Sequence, residues 1–156
     1  MANVRYGPIH ARCYKGEIDF ENDVFRVLLV RSTSSYTPDI DHDFLDDFTG
    51  GSGVEITVAS YSRQTLGSGA VTYNATSNKI EIDFSDVAFG NLEVGQTVAA
   101  VIVYRQVGGD DTTPANDDLL CYVDTDGNSL LPRALGGGAF NLQFNSAGLF
   151  NVNPAA

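Results

Sequence analysis

Five of the nine residues from Asp39 to Asp47 are aspartates, and His42, one of two histidines in the chain, stands among them. Clustered carboxylates around an imidazole are the raw material of a metal centre or of general acid–base chemistry. The stretch "SSYTPDIDHDFLDDF" (34–48) is therefore where chemistry would be expected first. Read as a calcium loop from Asp39, it places Asp39, Asp41 and Asp43 at the first, third and fifth positions. It then puts Phe44 where the sharp turn needs glycine and Gly50 where a bidentate glutamate is needed. "DTDGN" from Asp124 fails in the same way, with its glycine early and Leu135 in twelfth place. His42 has no partner at HxH or HxxxH spacing, so a zinc site is not expected. No metal or other cofactor is predicted.

Catalysis is no easier to assemble elsewhere. A nucleophilic triad needs a positioned histidine, and the choices are His10 and His42. No GxSxG elbow is present. "GGSG" and "LGGGA" lack the Lys-Ser/Thr and the following helix of a phosphate loop. Carboxylate pairs abound, but tryptophan, the usual platform of a glycosidase cleft, is absent. No catalytic residue is proposed, and a non-enzymatic role is expected.

The elements that hold the aspartates offer a simpler account. Ile40, Phe44, Leu45 and Phe48 recur with the spacing of one helical face. Thr37 suits the N-cap and Pro38 the first helical position. The spacing predicts a short helix near residues 38–48, with Phe44 and Phe48 buried. Asp39 and Asp41 would then lie in the first turn, where the helix dipole favours negative charge. Asp43, Asp46 and Asp47 would join Asp39 on an acidic outer face.

Most of the remaining chain reads as β. "VFRVLLV" (24–30) and "TVAAVIVYRQV" (97–107) are dense apolar runs, the second the stronger candidate for a central strand. "VEITVASY" (54–61), "AFNLQFN" (139–145) and the hairpin "GAVTYNATSNKIEIDF" (69–84) alternate apolar and polar residues. "DDLLCYVDT" (117–125) and "GLFNV" (148–152) complete the set. Gly/Asn/Asp/Ser clusters separate these runs, and no long helical pattern alternates with them. The prediction is an all-β fold: an antiparallel, jelly-roll-like β-sandwich of residues 17–156 with one short helix, preceded by an N-terminal arm of residues 1–16.

Charge sharpens that division. The 156-residue chain carries a net charge of −11, which repels phosphate and argues against nucleic acid as a partner. Arg5, Arg12 and Lys15 nevertheless fall in a stretch without acids, whereas 16 acids face four bases from Thr37 onward. No apolar run is long enough to span a membrane, and no signal peptide is evident. Cys13 and Cys121 have no metal-binding spacing and are expected as thiols. The arm, "NVRYGPIHARCYK" (3–15), is expected to lie extended on a partner, with Arg5, Arg12 and Lys15 supplying charge and Tyr6, Ile9 and Tyr14 supplying apolar anchors. The alternative is that it forms the first edge strand of the sandwich.

The order of motifs carries a resemblance. "KGEIDFENDVFRVLLV" (15–30), "HDFLDDF" (42–48), "AAVIVYRQ" (99–106), "LLCYVDTDGNSLLP" (119–132) and "GLFNV" follow one another as in a family of small tailed-bacteriophage virion structural proteins of the capsid decoration or cement type, which the chain resembles. The resemblance implies a homo-oligomer, a dimer or trimer, that binds and stabilises the major capsid protein shell on the virion surface. A tail or neck component is the alternative within that class. From a different class comes a carbohydrate-binding module, which would need an exposed platform built from Tyr61, Tyr73 and Tyr104.

Overall fold

The computed structural model describes residues 4–67, 69–124, 131–144 and 149–152. The chain is mostly β, and every sheet pairing among these residues is antiparallel. The strands are β1 (Val4–Arg5), β2 (Phe25–Arg31), β3 (Gln64–Leu66), β4 (Ala70–Asn74), β5 (Lys79–Asp83), β6 (Val87–Asn91), β7 (Thr97–Arg105), β8 (Asp118–Val123), β9 (Arg133–Ala134), β10 (Ala139–Leu142) and β11 (Phe150–Val152). Helices α1 (Gly7–Tyr14) and α2 (Leu45–Thr49) and a short 3-10 turn at Pro114–Asn116 complete the elements.

The main sheet runs β1-β8-β7-β2-β3, with β9 paired to the start of β7. Its central strands are apolar on both faces because both faces are covered. Phe25, Val27, Leu29, Val101 and Val103 point into one core, closed by Ile82, Phe84, Val87, Phe89, Phe140 and Leu142 of the two smaller sheets, β11-β5-β4 and β10-β6. Leu28, Val30, Ala100, Ile102 and Tyr104 point the other way, into a second core closed by Tyr6, Tyr36, Leu45 and Phe48. The expected all-β character thus holds at the level of antiparallel sheets, with helices and loops forming one of the covers.

The edges of the main sheet are closed in pieces. The outer side of β8 takes β1 at one end, extended by Tyr6 N–H donating to Leu120 O at 3.2 Å. At its other end it takes residues 43–45, through Leu119 N–H to Asp43 O at 2.9 Å and Leu45 N–H to Asp117 O at 2.8 Å. The outer side of β2 is shared between β3 and a single bridge at Glu55. The continuous strand expected over 54–61 is not formed; the chain turns at Ala59–Ser60 and pairs again only at Gln64.

Two further expectations differ from the structure. Residues 4–16 do not form an extended arm. Within the described part, 4–5 are an edge strand of the main sheet, and 7–14 are a helix with Pro8 in its first turn that ends at Gly16, whose φ of +73° only glycine adopts without strain. The aspartate-rich helix is also shorter than its apolar spacing suggested and begins at Leu45. Before it, Asp39 accepts from the amide of Asp41 at 3.1 Å and makes a local turn, which competes with helix. Asp47 then reaches back to the amides of Asp43 and Phe44, at 2.9 and 3.4 Å, and caps α2. Phe48 is buried, Phe44 is half-buried, and Ile40 is 59% exposed.

Candidate functional site

The predicted docking residues divide into an inner and an outer set. Tyr6 and Ile9 are buried, one in each core, so α1 crosses the end of the main sheet from the second core to the first. The Tyr6 hydroxyl meets that of Tyr36 at 2.9 Å, and Tyr36 meets His42 Nδ1 at 2.7 Å. The amide of Asp39 also points at Nδ1, at 3.4 Å, which makes that nitrogen an acceptor. Tyr36 therefore donates to His42, and Tyr6 to Tyr36. Burial pushes both hydroxyls up, Tyr36 to about 12, so neither ionises near neutrality.

Arg12 also faces inward. Its guanidinium pairs with the buried carboxylate of Asp118, approaches Asp43 at 3.7 Å, and stacks over the Phe44 ring at 4.3 Å. Asp118 is shared with Arg105 at 3.0 Å, and Arg105 in turn pairs with Asp23 at 3.0 Å. The aspartate run that suggested chemistry thus supplies caps, turns and one ligand for this clamp. The clamp ties α1 to the sheet.

What remains outward is Arg5, Tyr14 and Lys15. Tyr14 is 82% exposed and lies one turn from His10 on the same helix face. Val4, Arg5, Gly7 and His10 form one side of an open groove of about 510 Å³, and Pro38 and Ile40 the other. Burial, and then the charge of Arg5, lowers the pKa of His10, so the positive charge on this face at neutral pH belongs to Arg5 and Lys15. Lys15 approaches Glu17 at 4.0 Å. The contact is exposed and contributes little. Sequence reasoning missed His10 and Ile40 as parts of this face; the proline-started helix, which turns His10 toward Tyr14, was the available signal.

A second polar cluster lies where β2, β3 and β7 meet. Asp111 accepts from Arg26 at 2.5 Å, Tyr104 at 2.9 Å and Gln106 at 2.7 Å, with Arg63 at 3.5 Å. Glu55 takes Arg63 as a two-pronged pair, at 3.0 and 2.8 Å, and Tyr61 at 2.6 Å. These carboxylates accept from donors of the same chain, so the cluster anchors the "GGDDTTPAND" loop to the sheet. Tyr104 is buried, Tyr61 is half-buried, and only Tyr73, in another sheet, is exposed. The three tyrosines do not form the platform a carbohydrate module would need. Among the described residues, no three His, Cys, Asp or Glu side chains converge as a metal set. Of the calcium-like "DTDGN" loop, residues 125–128 lie outside the described residues.

No family model, characterised protein or solved structure matches the chain.

Proposed function

We propose that this chain is a non-enzymatic structural protein of a tailed-bacteriophage virion, a decoration or cement protein that seats on the major capsid protein. In this reading its layered antiparallel sheets are a divergent jelly-roll-like sandwich. The observation that carries the proposal is the outer face of α1. On a body of net charge −11, it presents Lys15 and an 82% exposed Tyr14, next to an open groove of mixed polar and apolar lining that Arg5 of β1 and His10 share with Pro38 and Ile40. Arginine and tyrosine are favoured interface residues, and a charge of opposite sign to the body lets the protein approach acidic or mixed surfaces in one orientation. The face is rigid, because Arg12 clamps its helix from behind. Docking therefore costs little ordering entropy compared with an extended arm. The partner comes from the resemblance of the motif order to that of small virion proteins. The test is antibody labelling of purified virions. Label distributed over the head supports the proposal. Label confined to the tail or neck, or absence of the chain from purified virions, contradicts it.

A further inference from the structure

β4 is the outer strand of the three-stranded sheet; just ahead of it Gly69 N–H donates to Phe20 O at 2.7 Å, and among the described residues no strand pairs the far side of residues 70–74. Strand edges that stay single are protected by charge, proline, a bulge or brevity. The main sheet follows that rule, with its outer strands short and its long ones covered in pieces. β4 does not. Its sequence Ala70-Val71-Thr72-Tyr73-Asn74 has no charge and no proline, and it pairs with β5 over all five residues without a bulge. Val71 lies opposite Ile82, and Tyr73 opposite Ile80. These four share the sheet face on which Ile82 is buried in the first core. At β4 that apolar face overhangs the core, leaving Val71 44% and Tyr73 57% exposed.

We infer that β4 pairs antiparallel with β4 of a second copy of this chain, about a two-fold axis at Thr72. This narrows the expected dimer or trimer to a two-fold dimer, and it stands without the capsid reading. The strand is self-complementary in that register. Thr72 meets Thr72 of the second copy, Ala70 meets Asn74, and each Val71 meets a Tyr73 on the overhanging face. Threonine–threonine and aromatic–β-branched pairs are favourable cross-strand pairs. Charge is compatible with this contact even between two copies of net charge −11. The nearest acids in the sheet, Glu81 and Asp83, are on β5, so the dimer holds the two sets three strand spacings apart, about 14 Å. That exceeds the screening length of about 8 Å at physiological salt. Glu81 is further engaged by Asn74 Nδ2 at 2.8 Å.

The test combines sedimentation with cross-linking on the full chain. Wild type should sediment with a concentration-dependent shift toward twice the monomer mass. Thr72→Lys sets two like charges opposite each other on the axis, while Glu81 lies across from residue 72 within the same chain. It should abolish the shift and leave the circular dichroism spectrum unchanged. In a Cys13→Ser background, Thr72→Cys should form a disulfide-linked dimer on mild oxidation, because residues facing each other across an antiparallel pair fall within disulfide reach. Thr76→Cys, in the hairpin turn, should not. Wild type that stays monomeric, a dimer indifferent to Thr72→Lys, or cross-linking at residue 76 as efficient as at residue 72 would each overturn the pairing. Shell binding is scored separately. A monomeric Thr72→Lys protein that still binds shells, beside a dimeric wild type, supports both proposals as independent. A wild-type dimer that never binds shells overturns only the capsid reading.

Discussion

Replacing Asp118 with alanine removes the centre of the clamp that holds α1. The carboxylate is 5% exposed and lies between Arg12 and Arg105, which are 19% and 20% exposed. Breaking a buried ion pair by deleting one partner costs about 3–5 kcal/mol, because the other charge is left without compensation. Here the low end applies, since Arg12 keeps Asp43 at 3.7 Å and Arg105 keeps Asp23 at 3.0 Å. The expected loss is about 3 kcal/mol, a large share of the roughly 5–15 kcal/mol that keeps a domain folded. With a urea slope of about 2 kcal/mol/M for a chain of this size, the unfolding midpoint should fall by about 1.5 M. Arg12→Ala should cost a similar amount and also lose the stacking on Phe44, worth about 0.5–1 kcal/mol. The double variant should cost about 1–3 kcal/mol less than the sum of the two. An Asp118→Ala protein within about 0.5 kcal/mol of wild type, or additive single effects, would refute the clamp.

Phe48→Ala should cost about 3–5 kcal/mol by urea denaturation, because the ring is buried against Tyr36 at 5.2 Å; Phe44→Ala, half-buried under Arg12, should cost about 1–2 kcal/mol. Equal costs would contradict the observed start of α2. Asp117 is buried, one carboxylate oxygen accepts from the Val107 amide at 2.8 Å, and the other has no partner among the described residues. Burial raises its pKa, so the folded state holds the proton more tightly than the unfolded chain, and this group's contribution to stability falls as pH rises through that window. Asp117→Asn should therefore gain melting temperature relative to wild type on going from pH 4 to pH 7; a flat or falling difference would refute the sign. Deleting residues 2–14 removes β1, Tyr6, Ile9 and Arg12 and should abolish the cooperative transition seen by circular dichroism; a truncated protein that unfolds like wild type would restore the detachable arm.

The long strands were legible because burial on both faces leaves a continuous apolar run, as in β2, β7 and β8, and the β4–β5 hairpin because one covered face leaves alternation. β6 was hidden by Gly90 and Asn91, which read as a turn but lie in a strand, with Gly90 at φ +74° beside an irregular pairing to β10. Helix α1 was hidden because its one buried position, Ile9, gives no period, and Pro8 reads equally as a helix start or as a stiffener of an extended segment. The docking residues were half legible. Composition places three cations near the N-terminus, but nothing local says that Arg12 turns inward, since its partner Asp118 is brought beside it only by the β1–β8 pairing. Residue type marks a surface candidate, and the sheet topology decides which side of the helix becomes surface.

In the proposed reading the outer face of α1 seats this protein on a virion shell. Co-sedimentation of purified protein with undecorated tailed-bacteriophage shells, comparing wild type with the Tyr14→Ala/Lys15→Glu double variant, measures this seating. Both positions are exposed, so the double variant should keep its stability within about 1 kcal/mol. Wild type should bind saturably and the double variant at least tenfold more weakly, which corresponds to about 1.4 kcal/mol or more from an aromatic and a charge at an interface. Wild type that leaves the shells bare, or a double variant that binds as tightly as wild type, would contradict the reading.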